Sequence, residues 1–399
     1  MVALLVAFSS ATRADDRATD PPKWEMTRPV ALGGSEISLS KPRLVARRRG
    51  YLWFPTLHRT SDGNWLACMS DYADMHVGEG TSLVSWSDDG GYSWSAPIRG
   101  KGGDSFLTLP GGDSLLLPYY MNQPAADVVS RSAQRFPRGR REIKSIEPGV
   151  SVTGWPKPPE KLTEKAVKPE WNLSSFCFTG QTVTLKDGKW LATLYGYLTG
   201  TNGRYSLVVA ESPDGLAWKV RSVIADHNCP LPGVEGPNEA ALCRLRDKRL
   251  MCVFRLEGNK PYAQCFSEDE GRSWSSPRKV NGPGSVQPSL AVRSDGSIVL
   301  SGGRPGLYLW FNADGTGLTW KRLDLREHHN ACVPGEAIKA DTTLETGEMT
   351  TGYTEVAVVD DSHLLVIYDR VPHGWKAIPR ESVDTNSVWV IRLHWKKAP

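Results

Sequence analysis

The sequence predicts an all-β protein, a six-bladed β-propeller with four-stranded antiparallel blades. Two recurring patterns carry that prediction: a turn motif that ends in tryptophan, and a strand–turn–strand unit that alternates with it. Composition agrees. The chain has 38 Gly, 28 Pro and 15 Trp among 399 residues, and long amphipathic helical patterns are hard to find.

The turn motif is Ser-x-Asp-x-Gly-x-x-Trp. It occurs intact from Ser87 to Trp94 and from Ser267 to Trp274. A copy one residue shorter runs from Ser212 to Trp218, and one a residue longer from Asn312 to Trp320. Asp and Ser side chains bond nearby backbone amides, and Gly takes the backbone angle other residues resist. The Trp ring is expected to bury between layers of sheet. Each copy reads as a rigid hairpin tip with a structural role.

The second unit is an apolar strand, a polar turn and another apolar strand. It occupies residues 55–69, 105–117, 181–194, 240–254, 288–300 and 354–368, with turns such as Asp62-Gly63, Asp187-Gly188 and Asp295-Gly296. Asp-Gly between apolar runs signals a hairpin. A hairpin followed by the Asp/Trp hairpin makes one four-stranded blade, and six such units close into a ring. The last apolar segment, residues 386–393, is expected to pair with an N-terminal strand near Val30-Ala31-Leu32, removing an exposed edge.

Two segments fall outside the rhythm. Residues 1–28 read as a leader and disordered start, because an apolar run from Val2 to Phe8 precedes small residues and Ala14-Asp15. Export to a secreted or periplasmic location follows from it. Residues 29–399 form the propeller, with a long insertion at about 122–171 that is rich in Pro and holds the basic cluster Arg135 to Arg141. It reads as a solvated loop or as a lid over the axial pocket.

Net charge is +4, small for this length, which gives nucleic-acid binding no support. No later stretch is apolar and long enough to cross a membrane as a helix. The seven Cys have no CxxC spacing, and their odd number argues against a full disulfide framework; a Cys229–Cys332 pair has no support in the sequence. Glu327-His328-His329 looks like a metal cluster, but neighbours on a strand point to opposite faces. No cofactor or metal is expected, and the chain reads as a monomer.

The Asp/Trp hairpins on six units resemble the sialidase superfamily, whose repeats are called Asp boxes, over nearly all of the chain after residue 30. The resemblance implies an exo-acting glycosidase that removes a terminal acidic, sialic-type sugar without a metal. It implies three arginines for the sugar carboxylate, a Tyr nucleophile with a Glu partner, and an Asp acid/base.

Arg255, Arg304 and Arg370 close hairpins at nearly the same place in the fourth, fifth and sixth units. Guanidinium forks match a carboxylate in two bonds. Arg255 and Arg304 resemble the second and third arginines of the family. The first belongs in an Arg-Ile-Pro segment that here reads Trp53-Phe54-Pro55, so Arg370 is the candidate substitute. Local acids such as Asp369 are the competing partners for these cations. Gly352-Tyr353-Thr354 resembles the nucleophile segment, and Pro237-Asn238-Glu239 the segment of its partner. A carboxylate beside a phenol can take its proton. The acid/base falls on the loop after the first hairpin, where Asp74 is the first candidate, Glu79 and Asp71 the alternatives, and His76 a further titrating group. Two other activities fit the same residues: a glycan-binding propeller without catalysis, and a hydrolase or lyase on another uronate-containing polysaccharide.

Overall fold

A computed structural model describes residues 23–74, 82–162, 172–258, 260–340, 351–376, 378 and 381–397. Among these residues the chain is all-β apart from one short α-helix, Leu325–Cys332, and one 3-10 turn, Pro334–Glu336. Asp324 caps the helix, its side chain accepting the Arg326 N–H.

Three sheets have four antiparallel strands each. One holds Trp53–Arg59, Trp65–Ser70, Ser82–Ser87 and Ile98–Gly100. Another holds Ala240–Arg244, Leu250–Phe254, Ala263–Ser267 and Arg278–Lys279. The third holds Ser289–Val292, Ile298–Gly302, Tyr308–Asn312 and Lys321–Asp324.

The other two sheets are larger. A six-stranded sheet joins Thr354–Val358, His363–Arg370 and Asn386–Lys397 to three N-terminal strands. The terminal strand pairs along one part with Ser35–Leu39 and along another with Arg43–Arg48. Closure through the two chain ends therefore occurs, with Val30–Ala31 one strand further out on Ser35–Leu39. A nine-stranded sheet contains Phe106–Thr108, Ser114–Leu116, Val128–Phe136 and Lys144–Thr153, continuing into Ala217–Ala225, Ser206–Ser212, Trp190–Gly196, Leu173–Thr184 and Tyr120–Ala125. The junction of Lys144–Thr153 with Ala217–Ala225 is parallel.

The expected insertion is thus largely strand. Its strands Tyr120–Ala125, Val128–Phe136 and Lys144–Thr153 all add to this sheet, while 163–171 lie outside the described residues. Alternation explains the difference: Val129, Ala133, Val150 and Val152 turn inward and are fully buried or nearly so, between polar neighbours that mask the pattern. Of the expected leader, residues 23–28 are described. Thr27 donates its backbone N–H to Leu39, and Trp24 sets its ring edge-on to Tyr92.

Neighbouring sheets meet through apolar side chains. Ala241, Met251 and Val253 pack with Leu290, Ile298, Leu300 and Trp310, so the fourth and fifth hairpins share one core. The fifth and sixth share Val299, Leu309, Val356 and Tyr368, and the sixth and first share Leu365, Ile367, Leu57 and Trp65. Burial on both faces explains the continuous apolar runs in these strands.

The first strands of successive units are stitched side by side. Ser105 Oγ donates to the Gly180 carbonyl, the Ala240 N–H to Thr179 Oγ1, and the Val356 N–H to Ser289 Oγ. Gly180 is required at this approach, since a Cβ there would lie 2.1 Å from the Ala240 carbonyl oxygen.

The repeated turns use the expected chemistry. Asp89 Oδ1 accepts the N–H groups of Tyr92 and Ser93 at 3.1 and 2.9 Å, and Asp269 Oδ1 those of Arg272 and Ser273 at 3.0 and 2.9 Å. Gly91 and Gly271 have φ of 87° and 80°. Of the four motif tryptophans only Trp218 is fully buried; Trp94, Trp274 and Trp320 are half-buried.

All seven Cys are free thiols. His328 and His329 lie on the α-helix and not on a strand, which corrects the ground on which they were set aside as metal ligands. Buried His329 bonds the Tyr368 hydroxyl and the Glu336 carbonyl. Among the described residues no group of three or more His, Cys, Asp or Glu is placed to hold a metal, and no helix is long and apolar enough to cross a membrane.

Candidate active site

The ends of the first strands converge on a cavity of about 500 Å³. Tyr353, Glu239, Arg255, Arg304 and Asp74 all line it. Tyr353 and Asp74 also line a smaller adjoining cavity of about 100 Å³, with Trp53, Phe54 and Asp104.

Glu239 precedes the strand Ala240–Arg244, and Arg255 follows its partner Leu250–Phe254. Backbone bonds between Asn238, Glu239 and Arg255 extend the pairing beyond both strands and place the side chains together. Arg255 Nη1 donates to Glu239 Oε2 and Nη2 to Glu235 Oε1, each at 2.8 Å. The Gln287 N–H donates to the same Glu239 oxygen at 2.9 Å. The other oxygen, Oε1, accepts the Tyr353 hydroxyl in a short bond.

These partners decide the charges. Burial alone would raise the Glu239 carboxyl, but the Arg255 charge and the bonds from Tyr353, Arg255 and Gln287 hold it below the usual range, so it is ionised. Burial and the Glu239 charge push the Tyr353 phenol well above 10, so it keeps its proton. The pair is a neutral phenol bonded to a carboxylate, the arrangement needed for a base and its nucleophile.

Backbone geometry sets Tyr353. The Gly352 N–H donates to Asp369 Oδ1, and the Gly352 carbonyl accepts the Arg304 N–H at 3.1 Å. Gly303 permits that approach, because a Cβ there would fall 2.2 Å from the Gly352 oxygen. The Arg304 guanidinium lies 4.5 Å over the Trp375 ring. Phe54 stacks on Trp53 with centroids 4.7 Å apart and leans on Tyr353 at 4.6 Å.

The other predicted residues are placed differently. Arg370 lines neither cavity; it is buried, with Nη1 on Asp384 at 2.9 Å and on the Thr385 carbonyl. A guanidinium buried at that depth requires a charge partner, and Asp384 supplies it. The three arginines therefore do not converge: Arg255 and Arg304 share the cavity and Arg370 stands outside it. Asp71 is likewise turned away, bonded to Arg48 at 2.9 Å and Arg99 at 3.1 Å. Glu79 and His76 lie outside the described residues.

Several lining groups carried no sequence signal. Asp104 is buried, accepts the Gln287 side-chain amide at 3.0 Å, and is pushed up to about 7 by burial and the Glu239 charge. Gln287 thus joins Asp104 to Glu239 through its side chain and backbone. Five tyrosines, at 119, 120, 195, 197 and 205, form another wall. Tyr197 and Tyr205 stack with centroids 4.3 Å apart and planes 10° apart. The doublet Tyr119-Tyr120 and the alternation Tyr195-x-Tyr197 were visible in the sequence, but nothing there marked them as facing a cavity.

Known proteins place the chain. No curated protein matches it in sequence. Its fold is similar to that of a protein of unknown function from Dyadobacter fermentans, at 16% identity over 91% of this chain and 100% of that one, with a TM-score of 0.63. It is similar to the α-L-arabinofuranosidase Arb93A of Fusarium graminearum, at 14% identity over 88% and 97% of the two chains and a TM-score of 0.57. A third similar structure is the sialidase NanB of Streptococcus pneumoniae, at 15% identity over 90% and 71%, with a TM-score of 0.55. At such identities the likeness is one of fold. The model of the BNR repeat-like domain matches residues 106–366, and the chain belongs to that sialidase-like family.

Proposed function

We propose that the protein is a retaining glycoside hydrolase that removes a terminal sugar, with Tyr353 as nucleophile and Glu239 as its base. The observation that carries this is the bond from the Tyr353 hydroxyl to the Glu239 carboxylate on the wall of an open cavity. The two similar glycosidase structures support the reaction class.

The scaffold is read as a six-bladed propeller whose turns are Asp boxes. Apolar clusters between successive units support the count, with two blades fused in the nine-stranded sheet by its short parallel pairing.

In the first step Tyr353 Oη bonds to the anomeric carbon while the glycosidic C–O bond breaks. The phenolic proton passes to Glu239. The leaving oxygen takes a proton from Asp74, which lines both cavities. In the second step water attacks the same carbon and gives its proton to Asp74, the Tyr–sugar bond breaks, and Glu239 returns the proton to the phenolate. Two displacements at one carbon retain its configuration. Asp104, which holds a proton near neutrality, keeps a second full negative charge away from Glu239. The apolar N-terminal run supports secretion or a periplasmic location.

The test is Tyr353→Phe, assayed for sugar release with its fold checked by circular dichroism. A loss of at least about a hundredfold in kcat is expected; unchanged turnover removes Tyr353 from the mechanism. A non-catalytic glycan-binding protein is the second reading, favoured by Trp53 standing where the family has its first arginine. Retention of a glycan with no release after long incubation would select it.

A further inference from the structure

The charges around the cavity bear on the class of sugar. Among the described residues, the two cavities are lined by two cations, Arg255 and Arg304, together with Glu235, Glu239 and the two carboxyl groups that hold protons in the mechanism above, Asp74 and Asp104. Arg255 has both terminal nitrogens on carboxylates, Glu239 and Glu235. Arg370 is held by Asp384, outside the lining. At the start of the first unit stands Trp53, whose Nε1 donates to the Tyr72 carbonyl at 3.0 Å and whose ring packs with Phe54 and Trp375.

A sugar carboxylate needs converging cations to replace its water. Here it would enter beside Glu235 and Glu239, the carboxylates that already engage Arg255. Breaking the Arg255 pairs to receive it would strand two carboxylates, one of them nearly fully buried. The walls offer a different kind of recognition. Half-buried rings of Tyr197 and Tyr205 face the same cavity as Trp375, and the Phe54 ring lines its neighbour. Such rings take the C–H face of a sugar, and carboxylates accept from its hydroxyls.

We infer that the site selects an uncharged sugar chain, held by stacking on aromatic faces and by hydroxyl bonds to its carboxylates, and discriminates against sugars that carry a carboxylate. The inference rests on the glycosidase reading above for its site, and it departs from the sialic-type sugar that the family resemblance implies.

The test uses the full chain and two kinds of probe: neutral oligosaccharides cut from arabinan, galactan and xylan, and the anionic probes sialyllactose and an oligogalacturonide. Binding is read by intrinsic Trp fluorescence on Tyr353→Phe, and turnover on the unmodified protein. A neutral oligosaccharide is expected to bind at least about tenfold more tightly than either anionic probe. Tyr205→Ala is expected to weaken that neutral binding severalfold without changing the melting temperature. Neutral binding without turnover in any condition overturns the hydrolase reading and leaves this inference standing. Tighter binding or faster turnover of sialyllactose overturns this inference and leaves the hydrolase reading standing. Binding of none of the neutral probes also overturns it.

Discussion

Asp369 accepts the backbone N–H of Phe54 at 2.9 Å through one carboxylate oxygen, while its other oxygen accepts the N–H of Gly352. One buried side chain thus ties the strand carrying the aromatic wall to the residue before Tyr353. Phe54 sits at φ 52°, a conformation that non-glycine residues hold only when their surroundings impose it. Asp369→Ala would leave two backbone donors without this partner. A stability loss of about 1–3 kcal/mol per buried group left unsatisfied is expected, read as a lower denaturant midpoint. An unchanged midpoint would show that Phe54 keeps its place by packing alone.

Glu239→Gln keeps the shape but removes the charge that Arg255 and Tyr353 share. The phenol then has no base, and kcat is expected to fall by about 10²–10⁴-fold, the usual range for a lost proton acceptor. Asp269→Ala is the contrasting variant. It removes the acceptor of two turn amides outside the cavity lining, so it is expected to lower stability by about 1–2 kcal/mol and leave kcat unchanged. Assays of both variants alongside melting curves separate the site from the scaffold.

Stability should fall as pH rises above neutrality. Burial pushes Glu355 up to about 8, and burial with the Glu239 charge pushes Asp104 up to about 7, from ordinary values of 4.5 and 3.8. Between the ordinary and folded values the native state binds more protons than the unfolded chain. The stabilisation is full below the ordinary values and is lost as pH passes the folded ones. His58 and His329, pushed down to about 4 by burial, act in the opposite sense, but their contribution is complete above 6.5. The melting temperature is therefore expected to drop from pH 6.5 to pH 9, and Glu355→Gln is expected to reduce that drop. A flat profile in both proteins would contradict the assignment.

The scaffold was legible because its signals are local. Asp-Gly turns between apolar runs locate the hairpins, and Ser87, Asp89 and Gly91 write out their own turn chemistry within a few residues. Tyr353 and Glu239, singled out because each stands at the start of a first strand, are bonded to one another in the structure. What the sequence hid depends on contacts far apart in the chain. No motif marks Asp104, and its burial against Gln287 joins residues 183 apart in the chain. Arg370 occupies the same place in its hairpin as Arg255 and Arg304, but the nearby Asp384 draws it away from the cavity. The strands Val128–Phe136 and Lys144–Thr153 were hidden by their polar outward residues, and the helix Leu325–Cys332 is too short to show a period.

The proposed mechanism turns on a covalent bond between the sugar and Tyr353. Acid-quenching the enzyme during turnover and digesting it for mass spectrometry tests this directly. The expected result is one added glycosyl group on the peptide containing Tyr353, absent from Tyr353→Phe. A glycosyl group on any other residue, or steady turnover with no adduct even under rapid quenching, would contradict it.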